Sequence, residues 1–339
     1  MSNHIQNIEI SNFKSVKDLK IKGCKKINIF AGKPNAGKSN ILEGLGLLGI
    51  FDYHKNQRLN FHNFLRFEYF NELFFEENQN EPIFLKTQNL ILKVEIDERE
   101  SILKFLYNDS KLKNEKKIDF QYSPDYHFIL KEMNSKIEFN KIRKYNFNSD
   151  AHTFIKEDSF IFPNGDNLAH VITLNENLRN ELRRIFKNSN LNILIDKGLN
   201  ALKIYKEFED GTIFTLPYKL VADTLQRLIF YKAAIMSNDN SVLLFEEPEA
   251  HCFEPYILEF TNEVKFNENN NQFFMVTHSD FIIQEFLRDE ESRKDTQIYL
   301  VNNVNGKTEV KALEAKKNED VYEYGMNVFF NFDSLWENN

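Results

Sequence analysis

Eight residues near the start of the chain, Gly32-Lys33-Pro34-Asn35-Ala36-Gly37-Lys38-Ser39, have the types and spacing of a phosphate-binding loop. In such a loop backbone N–H groups wrap the phosphates, two glycines allow the tight turn, the lysine reaches the terminal phosphates and the hydroxyl ligates magnesium. A chance match in a chain of this length has a probability of about 1% at average residue usage. The stretch "LLFEEPEAH" ends an apolar run in two adjacent carboxylates, Glu246 and Glu247. Beside a loop-bound triphosphate, Glu246 would orient the metal and Glu247 would act as general base toward water. The stretch "FFMVTHSD" places His278 after another apolar run, either to contact a terminal phosphate or as a satisfied histidine at a strand end.

Positioning these groups takes strands that end together. "KKINIFAG" reads as a buried strand running into the loop, and from Ser39 the spacing of Ile41, Leu42, Leu45 and Leu48 predicts a helix. Gly44, Gly46 and Gly49 either weaken that helix or permit close packing. "SVLLFEEPEAH" and "QFFMVTHS" are short continuous apolar runs, as in central strands of a parallel sheet. The opening "IQNIEISNFKSVKDLKI" alternates as half-buried antiparallel strands do. "LNENLRNELRRIF" from Leu174 is an amphipathic helix, and "ALKIYKEFEDGTIFTL" a hairpin around Asp210 and Gly211. "DTLQRLIFYKAAI" is a helix with Asp223 placed to cap its start, and "TQIYLVNN" is a last strand before a polar, aromatic tail. Residues 52–159 form an inserted region of mixed structure, with no heptad repeat sustained through it.

The chain has 339 residues, is 42% hydrophobic and 28% charged, and carries a net charge of −8. A balance this acidic argues against coating nucleic acid over the whole surface, since that affinity comes from neutralised phosphates. Local patches remain at "KLKNEKK" from Lys111 and at Lys141, Arg143 and Lys144 beside Tyr145 and Phe147. Neither a secretory signal nor a membrane span is evident, and Cys24 and Cys252 lack metal-ligand spacing, so the expectation is a soluble cytoplasmic protein without disulfides.

Taken in order, "IEISNFKS", "GKPNAGKSN", "LLFEEPEAH" and "VTHS" resemble ABC-class ATPases of the SMC and RecF type, with closest similarity to compact bacterial ATPases related to the OLD family. "FPNGDNLAHVI" from Phe162 also resembles a segment of these proteins. The resemblance covers about residues 1–51 and 160–310 as an ATPase core and leaves 52–159 unexplained. It implies an α/β fold, a two-lobed ABC-type P-loop ATPase head with an N-terminal antiparallel sheet, a central mostly parallel sheet and a mixed insert. It implies ATP and Mg2+ held between two heads, so a homodimer or higher oligomer.

Residue by residue, Gly32, Asn35, Ala36, Gly37, Lys38, Ser39 and Asn40 are the nucleotide loop, Ser39 and Glu246 the metal site, Glu247 the catalytic carboxylate and His278 the switch histidine. Lys14, in "NFKS", matches a basic position that approaches the nucleotide. The signature element, expected at the N-terminus of the "DTLQRLIF" helix, reads Ala222-Asp223-Thr224 where the family has a serine and a glycine. OLD-type proteins carry a C-terminal nuclease, yet only 61 residues follow His278. The expectation is therefore a regulator of a separately encoded effector such as a nuclease, in anti-phage defence. The alternatives are a RecF-like DNA maintenance ATPase and a nucleotide-gated scaffold with negligible turnover.

Overall fold

The chain was described in a computed structural model covering residues 3–53, 61–97, 102–109, 115–122, 128–133, 141–149, 156–187, 190–196, 198 and 201–339. It divides into two compact units. The first comprises residues 1–144, 240–247 and 272–339, the second 145–239 and 248–271.

The first unit holds two sheets. β1 (Asn7–Phe13) and β2 (Val16–Lys22) form the alternating hairpin expected from the sequence. β1 also pairs with β4 (Ile83–Thr87), and the sheet continues through β5 (Leu90–Asp97), β6 (Ile102–Asp109), β7 (Glu115–Tyr122) and β8 (Phe128–Met133), all antiparallel. Strands between residues 83 and 133 thus extend the N-terminal sheet.

The second sheet is built on β3 (Ile27–Gly32), a strand buried at every position. Its order is β16-β15-β3-β14-β13-β9, with β9 (Ile142–Tyr145), β13 (Val242–Glu246), β14 (Gln272–Val276), β15 (Thr296–Val304) and β16 (Lys307–Ala312). β13, β14, β3 and β15 run parallel and β16 antiparallel. The continuous apolar runs of β3, β13 and β14 are what a parallel strand covered on both faces requires.

Helix α1 (Lys38–Tyr53) explains how the two sheets share one core. Ile41, Leu42, Leu45, Leu47, Leu48 and Ile50 are all buried, and the helix touches β1 and β4 on one side and β3, β13 and β14 on the other. A helix apolar all round belongs between two layers. Each such side chain taken out of water contributes about 1.5–3 kcal/mol. Its glycines permit approach: a Cβ on Gly49 would lie 1.8 Å from the Ile142 carbonyl oxygen.

In the second unit, the amphipathic helix expected from Leu174 is α3 (Glu176–Lys187), and a further helix, α2 (Leu168–Leu174), precedes it. Asn175 separates them because its side-chain oxygen accepts the Leu178 N–H at 2.9 Å, the bond of a helix start. β10 (Asn192–Asp196), β11 (Ala201–Glu207) and β12 (Ile213–Pro217) form an antiparallel sheet containing the expected hairpin. α4 (Asp223–Met236) and α5 (Glu254–Lys265) pack together. The buried Lys232 of α4 reaches Glu263 of α5 at 2.8 Å and Glu181 of α3 at 3.4 Å, tying three helices.

After β14 the first unit continues through α6 (Asp280–Arg288) and α7 (Glu290–Asp295), and after β16 it adds α8 (Ala315–Glu323) and α9 (Phe332–Glu337). The stretch expected as a tail is therefore a strand and two helices. Among the described residues no helix is long and apolar enough to cross a membrane.

Candidate functional site

Because β3, β14 and β13 are adjacent and parallel, their carboxyl ends lie side by side, with Phe30 opposite Val276 and Val276 opposite Glu246. That edge is where open α/β sheets bind ligands. The loop follows β3, the two glutamates close β13, and Thr277 and His278 follow β14, so one edge of the first unit gathers all three motifs.

The loop itself is tightly built. Asn35 and Gly37 take left-handed φ of +58° and +94°. A Cβ on Gly37 would lie 1.9 Å from Thr308 Oγ1 and 2.7 Å from Ser15 Oγ, so glycine is required twice over. Gly32 is pressed against β15, where a Cβ would meet the Val301 carbonyl oxygen at 2.0 Å. The Ala36 N–H donates to Lys33, and Asn40 Nδ2 donates to Ser15 Oγ at 2.7 Å. Lys38 is buried and donates to the Gly32 and Lys33 carbonyls at 2.9 and 2.8 Å. Burial brings its pKa down to about 8 against the opposing pull of Glu247.

The two glutamates differ. Glu246 stays on the strand: its Oε1 accepts from Arg66 Nη2 at 2.9 Å, its Oε2 lies 3.3 Å from Lys144 Nζ, and the nearby Ser39 hydroxyl favours its charged form. Burial raises its pKa, but Lys144, Ser39 and Arg66 together outweigh that and hold the carboxyl below its usual range. Glu247 turns out of the strand with φ +45°, its N–H donating to the Val276 carbonyl at 2.9 Å. A left-handed non-glycine residue at a strand end is the kind of strain that accompanies function. Its Oε1 lies 3.6 Å from His278 Nε2. Burial and the nearby Lys38 lower the imidazole pKa in spite of Glu247.

A hydroxyl and a carboxylate oxygen near each other at the end of a phosphate-type loop are hard donors of the kind Mg2+ accepts alongside phosphate oxygens. Ser39 and Glu246 therefore fit a magnesium nucleotide. Lys14, with φ +49°, directs its ammonium to the Glu43 carboxylate and donates to the Arg66 carbonyl at 2.6 Å.

Two residues of this cluster were not singled out in the sequence, Glu43 and Arg66, and a third, Lys144, was read for a different role. Glu43 offered a signal, being an acid within an otherwise apolar helix, which calls for a cation. Arg143 and Lys144, read as part of a basic patch, are buried instead, at 9% and 3% exposure. They sit on β9, the strand at the end of the sheet next to β13, and Lys144 pairs with Glu246 rather than facing solvent. Residues 111–114 of the other patch lie outside the described residues.

Asp223 and Thr224 belong to the second unit. Asp223 is not the cap of α4: the cap position is Ala222, and the Asp223 carboxylate accepts from Arg227 Nε one turn on at 2.8 Å. Thr224 Oγ1 donates to the His251 carbonyl at 2.9 Å.

The C-terminal segment reaches the loop. Asp333 of α9 pairs with Lys33 at 2.6 Å, and Lys33 Nζ lies 5.7 Å from the centre of the Phe332 ring, on which Trp336 stacks at 6.1 Å. Phe329 stacks on His278 at 6.2 Å, and the Val328 N–H donates to Asp280 at 2.8 Å.

Comparison with known proteins gives the family and the fold. Residues 27–284 match the family described as "AAA domain, putative AbiEii toxin, Type IV TA system". A Helicobacter pylori protein named "ATP/GTP phosphatase" is 25% identical over 87% of this chain and 91% of its own length. Among solved structures, that of an "SmcHead bound to the C-winged helix domain of ScpA" is similar with a TM-score of 0.53 at 16% identity, covering 93% of this chain and 99% of that one. The fold is thus the mixed α/β fold of an SMC head ATPase.

Proposed function

Because the chain belongs to the family "AAA domain, putative AbiEii toxin, Type IV TA system", we propose that it is a cytoplasmic ATPase related to the compact OLD group. In this reading it binds and hydrolyses Mg-ATP, associates with a second copy when ATP is bound, and controls a separately encoded effector in bacterial anti-phage defence. The observation that carries the nucleotide half is the tight glycine loop after β3 lying at the same sheet edge as Glu246, Glu247 and His278. The name of the Helicobacter pylori relative supports hydrolysis. The toxin–antitoxin wording of the family and the partner domain on the SMC head support an effector.

Each residue has a task. Gly32, Asn35, Ala36, Gly37 and Asn40 shape the loop, and the free N–H groups at the start of α1 face the phosphates. Lys38 supplies a cation to the terminal phosphates. Ser39 and Glu246 hold Mg2+, whose charge offsets that of the phosphates when it is bound. Glu247 accepts the proton of the attacking water, and His278 orients that water. Asp223 and Thr224, at the start of α4, are assigned to the nucleotide of the second copy. The charge of Asp223 is offset there by Arg227. For the RecF-like alternative, Arg143 and Lys144 are buried and only Lys141 of that patch is exposed.

The test is recovery of partners from the native host with tagged Glu247→Gln protein and Mg-ATP, with Lys38→Ala as the nucleotide-blind control. A nuclease or other toxic protein, recovered with Glu247→Gln and lost with Lys38→Ala, is the expected result. Recovery of only DNA and repair factors, or of nothing in either sample, sinks the effector reading.

A further inference from the structure

Glu246 is held from two sides, and the two holders differ. Lys144 is buried at 3% exposure and fixed by its place on β9, whereas the Arg66 side chain is 64% exposed and lies on no regular helix or strand. An exposed arginine left to itself would contribute little, because ordering a long side chain in water cancels most of an ion pair.

Arg66 is not left to itself. Its Nε donates to Glu43 Oε1 at 2.8 Å while its Nη2 donates to Glu246 Oε1 at 2.9 Å, and its carbonyl accepts from Lys14 Nζ at 2.6 Å. Glu43 is fully buried and stands one helical turn after Ser39 on α1. One rigid helix therefore carries both the hydroxyl offered to a metal and the carboxylate that fixes the guanidinium. The planar fork of arginine suits this bridging of two carboxylates, and a lysine could not span both with the same geometry.

Building on the nucleotide reading above, we propose that Arg66 is a positioning residue of the metal site. Held by Glu43, it fixes the Glu246 carboxylate at the end of β13, near the Ser39 residue that closes the loop, so the carboxylate offered to Mg2+ is set in place before the metal binds.

The test is equilibrium dialysis of the full chain with a labelled, non-hydrolysable ATP analogue across a Mg2+ titration, with EDTA as the metal-free reference. Arg66→Gln is expected to raise the Mg2+ concentration for half-maximal nucleotide binding by about 10- to 100-fold, the range seen when groups supporting a metal ligand are removed, while affinity in EDTA changes by less than about twofold. Arg66→Lys should recover part of the loss. Glu43→Gln should reproduce the shift, with thermal melting in EDTA to show that the variant is folded. A Mg2+ dependence unchanged in Arg66→Gln overturns the proposal, and so does one shifted to lower Mg2+, since the guanidinium would then compete with the metal. A wild-type chain that binds no nucleotide at all overturns the ATPase reading itself and this proposal with it.

Discussion

The carboxylate of Glu247 stands 3.6 Å from the imidazole of His278, on two loops that leave neighbouring parallel strands. Burial and the Lys38 charge lower the imidazole pKa from its ordinary 6.5, so the ring is neutral at pH 7. In the proposed reaction Glu247 is the group that takes the proton of the attacking water.

Glu247→Gln keeps the shape of the side chain and removes that capacity. Hydrolysis is expected to fall by about 10²- to 10⁴-fold, the usual contribution of a general base, with nucleotide affinity retained. Phosphate release and equilibrium dialysis on the same preparation separate the two. An unchanged rate would favour a scaffold with negligible turnover, and a matching loss of binding would show that Glu247 serves the ground state.

Close packing of α1 predicts a contrast between two of its glycines. Gly49→Ala would set a methyl group 1.8 Å from the Ile142 carbonyl oxygen, while at Gly46 the nearest atoms are Lys144 side-chain carbons at 3.5 Å. Overpacking against backbone costs about 1–3 kcal/mol or more, whereas replacing a helical glycine by alanine in open space gains up to about 1 kcal/mol. Gly49→Ala should therefore lower the denaturation midpoint and Gly46→Ala should hold or raise it. Equal effects would contradict the packing described.

Burial raises the pKa of Cys24 and Cys252 from 9.0 to about 11. The thiolate fraction at pH 8 then drops by about 100-fold, and labelling by a thiol reagent should slow correspondingly until denaturant is added. The sign for stability follows. The unfolded thiols ionise near 9.0 and the folded ones near 11, so unfolding releases protons in that window and stability declines as pH rises through it. Labelling at the rate of a free thiol in the native protein would refute both statements.

What could be read in the sequence was local. Ile27–Gly32, the glycine spacing after it and the apolar runs before Glu246 and Thr277 each declare a strand and its end within about ten residues, since burial on both faces leaves no polar alternation to confuse the pattern. What could not be read was pairing at a distance. Nothing in "PIFLKT" says that β4 will lie against β1, and nothing around Arg66 names Glu246, which is 180 residues away. Two signals were present and went unused. Asn175 marks the break between α2 and α3, and Asn305-Gly306, with φ of +52° and +80°, is the turn pair of a hairpin that makes β16. Asp223 misled because a first-turn acid and a cap look alike until the Arg227 pairing is seen.

Trp336 is the only tryptophan in the chain. Its ring rests on Phe332, and Phe332 carries Lys33 of the loop, whose ammonium is paired with Asp333. The protein thus contains one indole fluorophore, two side chains removed from the place where phosphates would bind. Any ligand that draws Lys33 away from Asp333 alters the surroundings of the indole, and the unlabelled protein then reports occupancy of its own loop through its emission.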